Sequence, residues 1–155
     1  MKCCSYTYSD LEPGKTGGGY SVRITGDMMD SFREMTGDIN PLHSSDAFAR
    51  KSGYPSRVVY GMLTASLLST LAGVYLPGER SLIHSVEVKF VKPVYEGDVL
   101  TVHGVIAELN DTVRQIVIKA EIRNQNGDRV LRGKMKVGMT EQKGNGGESQ
   151  DETRG

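Results

Sequence analysis

Asp38 and His43 stand five positions apart in the stretch TGDINPLHSSDAFA, Thr36 to Ala49, and they are residue types that activate water. A histidine titrates near pH 6.5, so the ring can take up or return a proton near neutrality, and a nearby carboxylate orients it and supports its charged form. Between the two, Pro41 fixes its own φ and keeps Asn40 out of the helical region. The chain therefore turns, and such a turn can aim both side chains at one point. The same residues also have a purely structural use. Asp38 can cap a turn, Ser44, Ser45 or Asp46 can cap the helix DAFARKSG, and His43 can simply be exposed. Residue types alone leave both readings open.

Other groups compete for a chemical role. His84 and His103 fall inside expected strands with no carboxylate close in sequence, which favours packing or hydrogen bonding for each. With the only cysteines adjacent at Cys3 and Cys4, neither a disulfide framework nor a metal-ligand spacing is present, and no metal is expected. Gly61, in VVYGMLTAS, opens an apolar segment where unpaired backbone N–H groups carry partial positive charge, and a substrate carbonyl can approach glycine closely. It can equally be a cap or a packing glycine. Ser66 and Ser69 lie on the same segment, where hydroxyls most often bond back to the preceding turn. No phosphate-binding loop or dinucleotide fingerprint occurs.

These residues must be positioned by a particular set of elements. Residues 1–18, with EPGKTGGG, read as an arm or loop, and the tail 141–155 is Gly-rich, charged and expected to be disordered. YSVRIT alternates as a short strand, and DMMDSFREMTG has helical spacing with Met28, Phe32 and Met35 on one face and Gly37 as its C-cap. From Gly61 to Leu76 there is no charge for four turns, so that helix has to be buried on nearly all sides. The period then falls to two. SLIHSVEVKF places Leu82, His84, Val86, Val88 and Phe90 on one face, and three further strands follow, the last two joined by the hairpin turn NQNGD. In the final strand Leu131, Met135 and Val137 oppose Arg132, Lys134 and Lys136, leaving one sheet face wet. Helices and strands are segregated, which gives an α+β fold: a single domain over 19–140, with a curved antiparallel sheet wrapped around a central buried helix. An open sheet edge or an uncovered helix side would favour dimerisation.

The totals agree with a small-molecule or protein partner. At 155 residues the chain is one domain with a core of its own, and 19 Lys plus Arg balance 19 Asp plus Glu, so no overall field favours nucleic acid or an anionic membrane. No apolar run reaches membrane-spanning length and the N-terminus lacks a signal-peptide core, so a cytoplasmic protein is expected.

The run TGDINPLHSSDAFARKSGYPSRVVYGMLTASLLSTLAGVYLPGE, followed by VEVKFVKPVYEGDVL, resembles the MaoC-like, (R)-specific enoyl-CoA hydratases of the hot dog fold over roughly residues 20–140. The Asp-x4-His loop, the Gly-Met helix start and the F-x-x-P-V-x-x-G-D strand exit occur in the family's order and spacing. The resemblance implies homodimers, or higher oligomers, and an acyl-CoA or other acyl-thioester substrate in a tunnel near the dimer interface, with no cofactor. It makes Asp38 and His43 the catalytic pair, Asn40 a support of their loop, Gly61 the backbone donor to the thioester carbonyl, and Ser69 a hydroxyl that helps position the pair. Many relatives carry His where this chain has Tyr60, which keeps a hydrogen-bond donor in the binding site but, with a pKa near 10, no acid or base role at neutral pH. The implied reaction is reversible hydration of a trans-2-enoyl thioester to the (R)-3-hydroxyacyl form. Thioester hydrolysis, and a non-catalytic acyl-thioester-binding subunit, are the alternatives on the same fold.

Overall fold

The computed structural model describes residues 1–141, so the expected disordered tail, beyond Glu141, lies outside the described residues. Strand β1 (Thr16–Arg23) is followed by helix α1 (Gly26–Thr36), a single 3-10 turn (Pro41–His43), a short helix α2 (Asp46–Lys51) and the apolar helix α3 (Gly61–Thr70). Four long strands complete the chain: β2 (Ser81–Phe90), β3 (Val99–Asn110), β4 (Gln115–Arg123) and β5 (Arg129–Met139). With β1 they form one five-stranded sheet in the order β1-β3-β4-β5-β2, with every neighbour antiparallel. This is the expected hot dog arrangement, with α3 as the filling: Leu63, Leu67, Leu68, Leu71 and Ala72 are buried and belong to one core with Leu100, Ile118 and Met135 of the sheet.

Four expectations are corrected. The strand begins at Thr16, inside what composition marks as a loop arm. Its glycines are there for contact: a Cβ on Gly17 would meet Leu76 Cβ at 2.6 Å, and one on Gly18 would meet Leu71 Cδ1 at 2.9 Å. The residues ahead of it are tied down as well, Cys4 donating to Val74 O (2.7 Å) and accepting from Glu79 N–H (2.9 Å). Secondly, α3 is not covered on all sides. Met62, Ser66 and Ser69 are exposed along one stripe, because a single sheet wraps only the opposite face. The α-helical part also stops at Thr70 and widens to a π-turn over Leu71–Tyr75, beside a stack of Tyr75 on Tyr20 (4.9 Å), whose hydroxyl bonds Leu67 O.

Thirdly, β2 does not keep one alternation. A bulge at His84 shifts the register between Ile83↔Val137 and Ser85↔Lys136. Ile83 therefore joins Val88 against the core, Leu82 is 56% exposed, and His84 turns outward to accept from the Gln115 amide (2.7 Å). In α1, finally, the fully buried residue is Met29 and Met35 is exposed, because only residues ahead of the helix's last turn, Met28 and Phe32 with Met29, reach the core. Gly37 closes α1 in the left-handed conformation, as expected, with its N–H on Arg33 O.

Candidate active site

The loop that carries Asp38 and His43 is built by short-range hydrogen bonds. Asp38 Oδ1 accepts from Asn40 N–H (3.0 Å), and Asn40 Oδ1 in turn accepts from Leu42 N–H (3.0 Å), capping the 3-10 turn whose first residue is Pro41. Asn40 stands at φ −54° and ψ 120°, outside the helical region as its proline neighbour demands. Ser45, of the three cap candidates, closes α2 by accepting from Phe48 N–H (3.1 Å). The capping roles of the structural reading thus hold for Asp38 and Ser45, but His43 is not simply exposed: it is half-buried, and the same turn aims both side chains.

The loop is stitched to the segment that starts α3. Val58 N–H donates to Leu42 O (3.0 Å), and His43 Nδ1 lies 2.6 Å from Val58 O. A carbonyl only accepts, so Nδ1 carries the proton and the neutral ring has its lone pair on Nε2. Two residues on, Tyr60 is 3% exposed, its ring packs on His43 (4.2 Å between centroids) and Phe32 (4.9 Å), and its hydroxyl donates to Asp38 O (2.8 Å). Burial pushes the phenol above its ordinary value near 10, and the Asp38 charge adds to that. Tyr60 is therefore a neutral brace that holds Asp38 by its backbone and His43 by its ring. Arg57 ties the outer loop down, donating its N–H to Asp46 (2.8 Å) and pairing its guanidinium with Glu96 (2.6 Å).

Gly61 follows Tyr60 directly. Leu63 and Thr64 N–H both turn back to Tyr60 O, which leaves the N–H groups of Gly61 and Met62 without an intrahelical partner. A Cβ at Gly61 would meet the Phe90 ring at 3.1 Å, so only glycine lets this N–H stand open beside that ring. Asp38, His43, Tyr60 and Gly61 share a cleft of about 840 Å³, walled by apolar residues of α3 and β2 and reaching Ser66 and Ser69. Ser66 bonds back to Leu63 O (2.6 Å), as its helical position suggests. Ser69 lies eight residues beyond Gly61, roughly 12 Å along the axis, and among the described residues no hydrogen bond links it to Asp38 or His43. It lines the same cleft as the pair. His84 and His103 are outside this cleft. Among the described residues no three His, Cys, Asp or Glu side chains gather to hold a metal ion.

Sequence reasoning missed Val58, whose carbonyl selects the His43 tautomer, and Phe90, which shapes the approach to Gly61. The first acts through its backbone and leaves no trace in residue type. The second was visible as the aromatic of F-x-x-P-V but carried no role until the fold brought it against Gly61.

A sequence profile of the MaoC-like domain matches residues 11–127, well over half of the chain. The chain belongs to the MaoC-like domain family. Among MaoC-like relatives, a 3-hydroxybutyryl-CoA dehydratase of Methylorubrum extorquens is 36% identical over 102 residues, 66% of this chain and 64% of that protein. An (R)-specific enoyl-CoA hydratase of Aeromonas caviae is 33% identical over 107 residues, 69% of this chain and 80% of that one. The chain's match thus spans a little under two thirds of the first and most of the second. The solved (R)-hydratase of A. caviae superposes with a TM-score of 0.78 at 31% identity, covering 83% of this chain and 97% of that one. R-hydratase PhaJ1 of Pseudomonas aeruginosa gives 0.79 at 27% identity, covering 87% and 86%. No helix of the described residues is long and apolar enough to cross a membrane.

Proposed function

We propose that this chain is a hydro-lyase that reversibly hydrates trans-2-enoyl-CoA thioesters to (R)-3-hydroxyacyl-CoA, with Asp38 and His43 as the catalytic pair. The observation that carries the reading is the His43 Nδ1 to Val58 O bond, which leaves Nε2 as the ring's free lone pair in a cleft shared with Asp38 and the open N–H of Gly61. The Gly61 N–H donates to the thioester carbonyl and draws electron density from C3. A water between Asp38 and His43 is oriented by the carboxylate and gives one proton to Nε2 as its oxygen bonds C3. The C2–C3 π pair moves toward C2, the resulting enolate is held by Gly61, and the imidazolium returns the proton to C2 on the same face. The reverse sequence is dehydration.

The scheme needs only the chain, the thioester and water, so no cofactor enters. The carboxylate and imidazole set favours addition at C3 over hydrolysis at C1. The open stripe of α3 with Met62, 63% exposed, and the neighbouring edge strand β2 with Val86, 45% exposed, support a homodimer in which a second copy covers the cleft. A reducing compartment, the cytoplasm, suits the free Cys3 and Cys4. Crotonyl-CoA incubated with the protein should lose its enone absorbance without releasing free thiol, and Asp38→Asn and His43→Ala should each abolish the loss while the fold persists. Thiol release would mean thioester hydrolysis instead. No reaction across several chain lengths would contradict catalysis on CoA thioesters, and full activity in either variant would refute the assigned pair.

A further inference from the structure

A second, smaller cleft of about 280 Å³ opens on the other side of Gly61. It shares His43, Gly61 and Phe90 with the large cleft, but it does not reach Asp38. Thr64 lines it, only 2% exposed, and its hydroxyl is the one buried side-chain oxygen among the described residues with no hydrogen-bond partner. A buried hydroxyl that declines the bond to the preceding turn is out of keeping with helical threonines, which usually take it. The other polar side chains at this cleft are Tyr54, His43 and Lys92, of which His43 is bonded to Val58 O and Lys92 is paired with Asp128 at 2.9 Å.

The position of Asp38 decides which part of a thioester goes where. On the hydratase reading, C3 lies between Asp38 and His43, so the acyl chain occupies the large cleft, the only one of the two that holds Asp38. The carbonyl sits at Gly61, at the junction. The sulfur arm then leaves toward the small cleft. In a CoA or pantetheine thioester the first polar group on that arm is the cysteamine amide, four bonds from the carbonyl carbon. Thr64 is three residues beyond Gly61, on the same side of α3 and a little under one helical turn away. We propose that the Thr64 hydroxyl binds the cysteamine amide of the thioester arm, and so makes this chain selective for pantetheine-type thioesters over simple alkyl ones.

The test compares two unreactive saturated ligands, butyryl-S-N-acetylcysteamine, which keeps that amide, and S-pentyl thiobutyrate, which lacks it. Dissociation constants are measured by calorimetry or NMR titration for the full chain, Thr64→Val and Thr64→Ser. Thr64→Val should weaken the amide ligand about five- to tenfold, leave the alkyl ligand within twofold, and be rescued by Thr64→Ser. Equal weakening of both ligands, no weakening of either, an altered acyl-length preference with amide dependence intact, or no binding by the wild type would each overturn the proposal. Because binding is read without turnover, the two readings fail separately. Amide-dependent binding without hydration of crotonyl-CoA sinks the hydratase and keeps this site, whereas hydration without amide dependence does the reverse.

Discussion

Replacing Tyr60 by Phe removes one hydroxyl and keeps a ring that is held between His43 and Phe32. What disappears is the 2.8 Å bond to the main-chain oxygen of Asp38. A hydrogen bond of this kind is worth about 0.5–1.5 kcal/mol net, and Asp38 is exposed, so water can reach its carbonyl and take over part of the contact. The loss therefore falls in the lower part of that range, about 0.5–1 kcal/mol. For a chain of 155 residues this lowers Tm by about 1–4 °C. Expressed wholly in the transition state, through a less firmly held Asp38, it lowers kcat/KM about two- to fivefold. The shape of the pH–rate profile on crotonyl-CoA should not change from about pH 6 to 9, because burial and the Asp38 charge keep the Tyr60 phenol protonated there. Calorimetry and steady-state rates across that interval check both numbers. A loss of a hundredfold or more, or a missing limb of the pH profile, would refute a bracing role and make Tyr60 an acid in its own right.

Gly61→Ala drives a methyl group to 3.1 Å from the Phe90 ring and into the path of the carbonyl. It should cut kcat/KM by at least about tenfold, toward the 10²–10³-fold of a lost oxyanion donor, with the circular dichroism spectrum unchanged. Asn40→Ala removes the cap over Leu42 N–H and should destabilise the fold by about 1 kcal/mol in urea titration, with Asn40→Asp recovering most of it. Leu71→Ala, at a fully buried position between α3 and the sheet, should cost about 2–5 kcal/mol in the same assay. Glu121 is held below its ordinary value of 4.5 chiefly by the hydrogen bond from Arg123; burial opposes this, and the charges of Arg123 and Arg129 add to the lowering. Its folded pKa is depressed, so its contribution is present above 4.5 and lost as the folded carboxylate protonates. The stability gap between wild type and Glu121→Gln should therefore close as pH falls below 4.5 and through the depressed folded pKa, and an undiminished gap in acid would contradict the assignment.

Much of this architecture is legible in the sequence because its signals are physical and local. The charge-free run from Gly61, the period-two strands and the Asn-Pro turn each follow from a backbone rule, and the elements stand where those rules put them. What escaped depends on contacts between distant segments. The glycines at 17 and 18 look like a flexible arm until Leu71 and Leu76 press on them. The β2 bulge at His84 reverses the face of Leu82, and alternation alone cannot reveal an inserted residue. In the site, Asp38, Asn40 and His43 could be picked out because the turn between them is encoded locally. The Val58 carbonyl that fixes His43 comes from a segment fifteen residues away through its backbone. Tyr60 could be flagged as a departure from the relatives but not assigned its bracing geometry. The unpartnered hydroxyl of Thr64 leaves no trace in residue type or spacing.

The central claim is addition of water from one face by a pair of groups in one cleft. Its most direct measurement is the hydration of crotonyl-CoA in deuterium oxide, with the configuration at C2 and C3 of the product read by NMR. The account predicts (R)-3-hydroxybutyryl-CoA with deuterium at C2 on the same face as the new hydroxyl and no free thiol. An (S) product, addition across opposite faces, or cleavage of the thioester would contradict it.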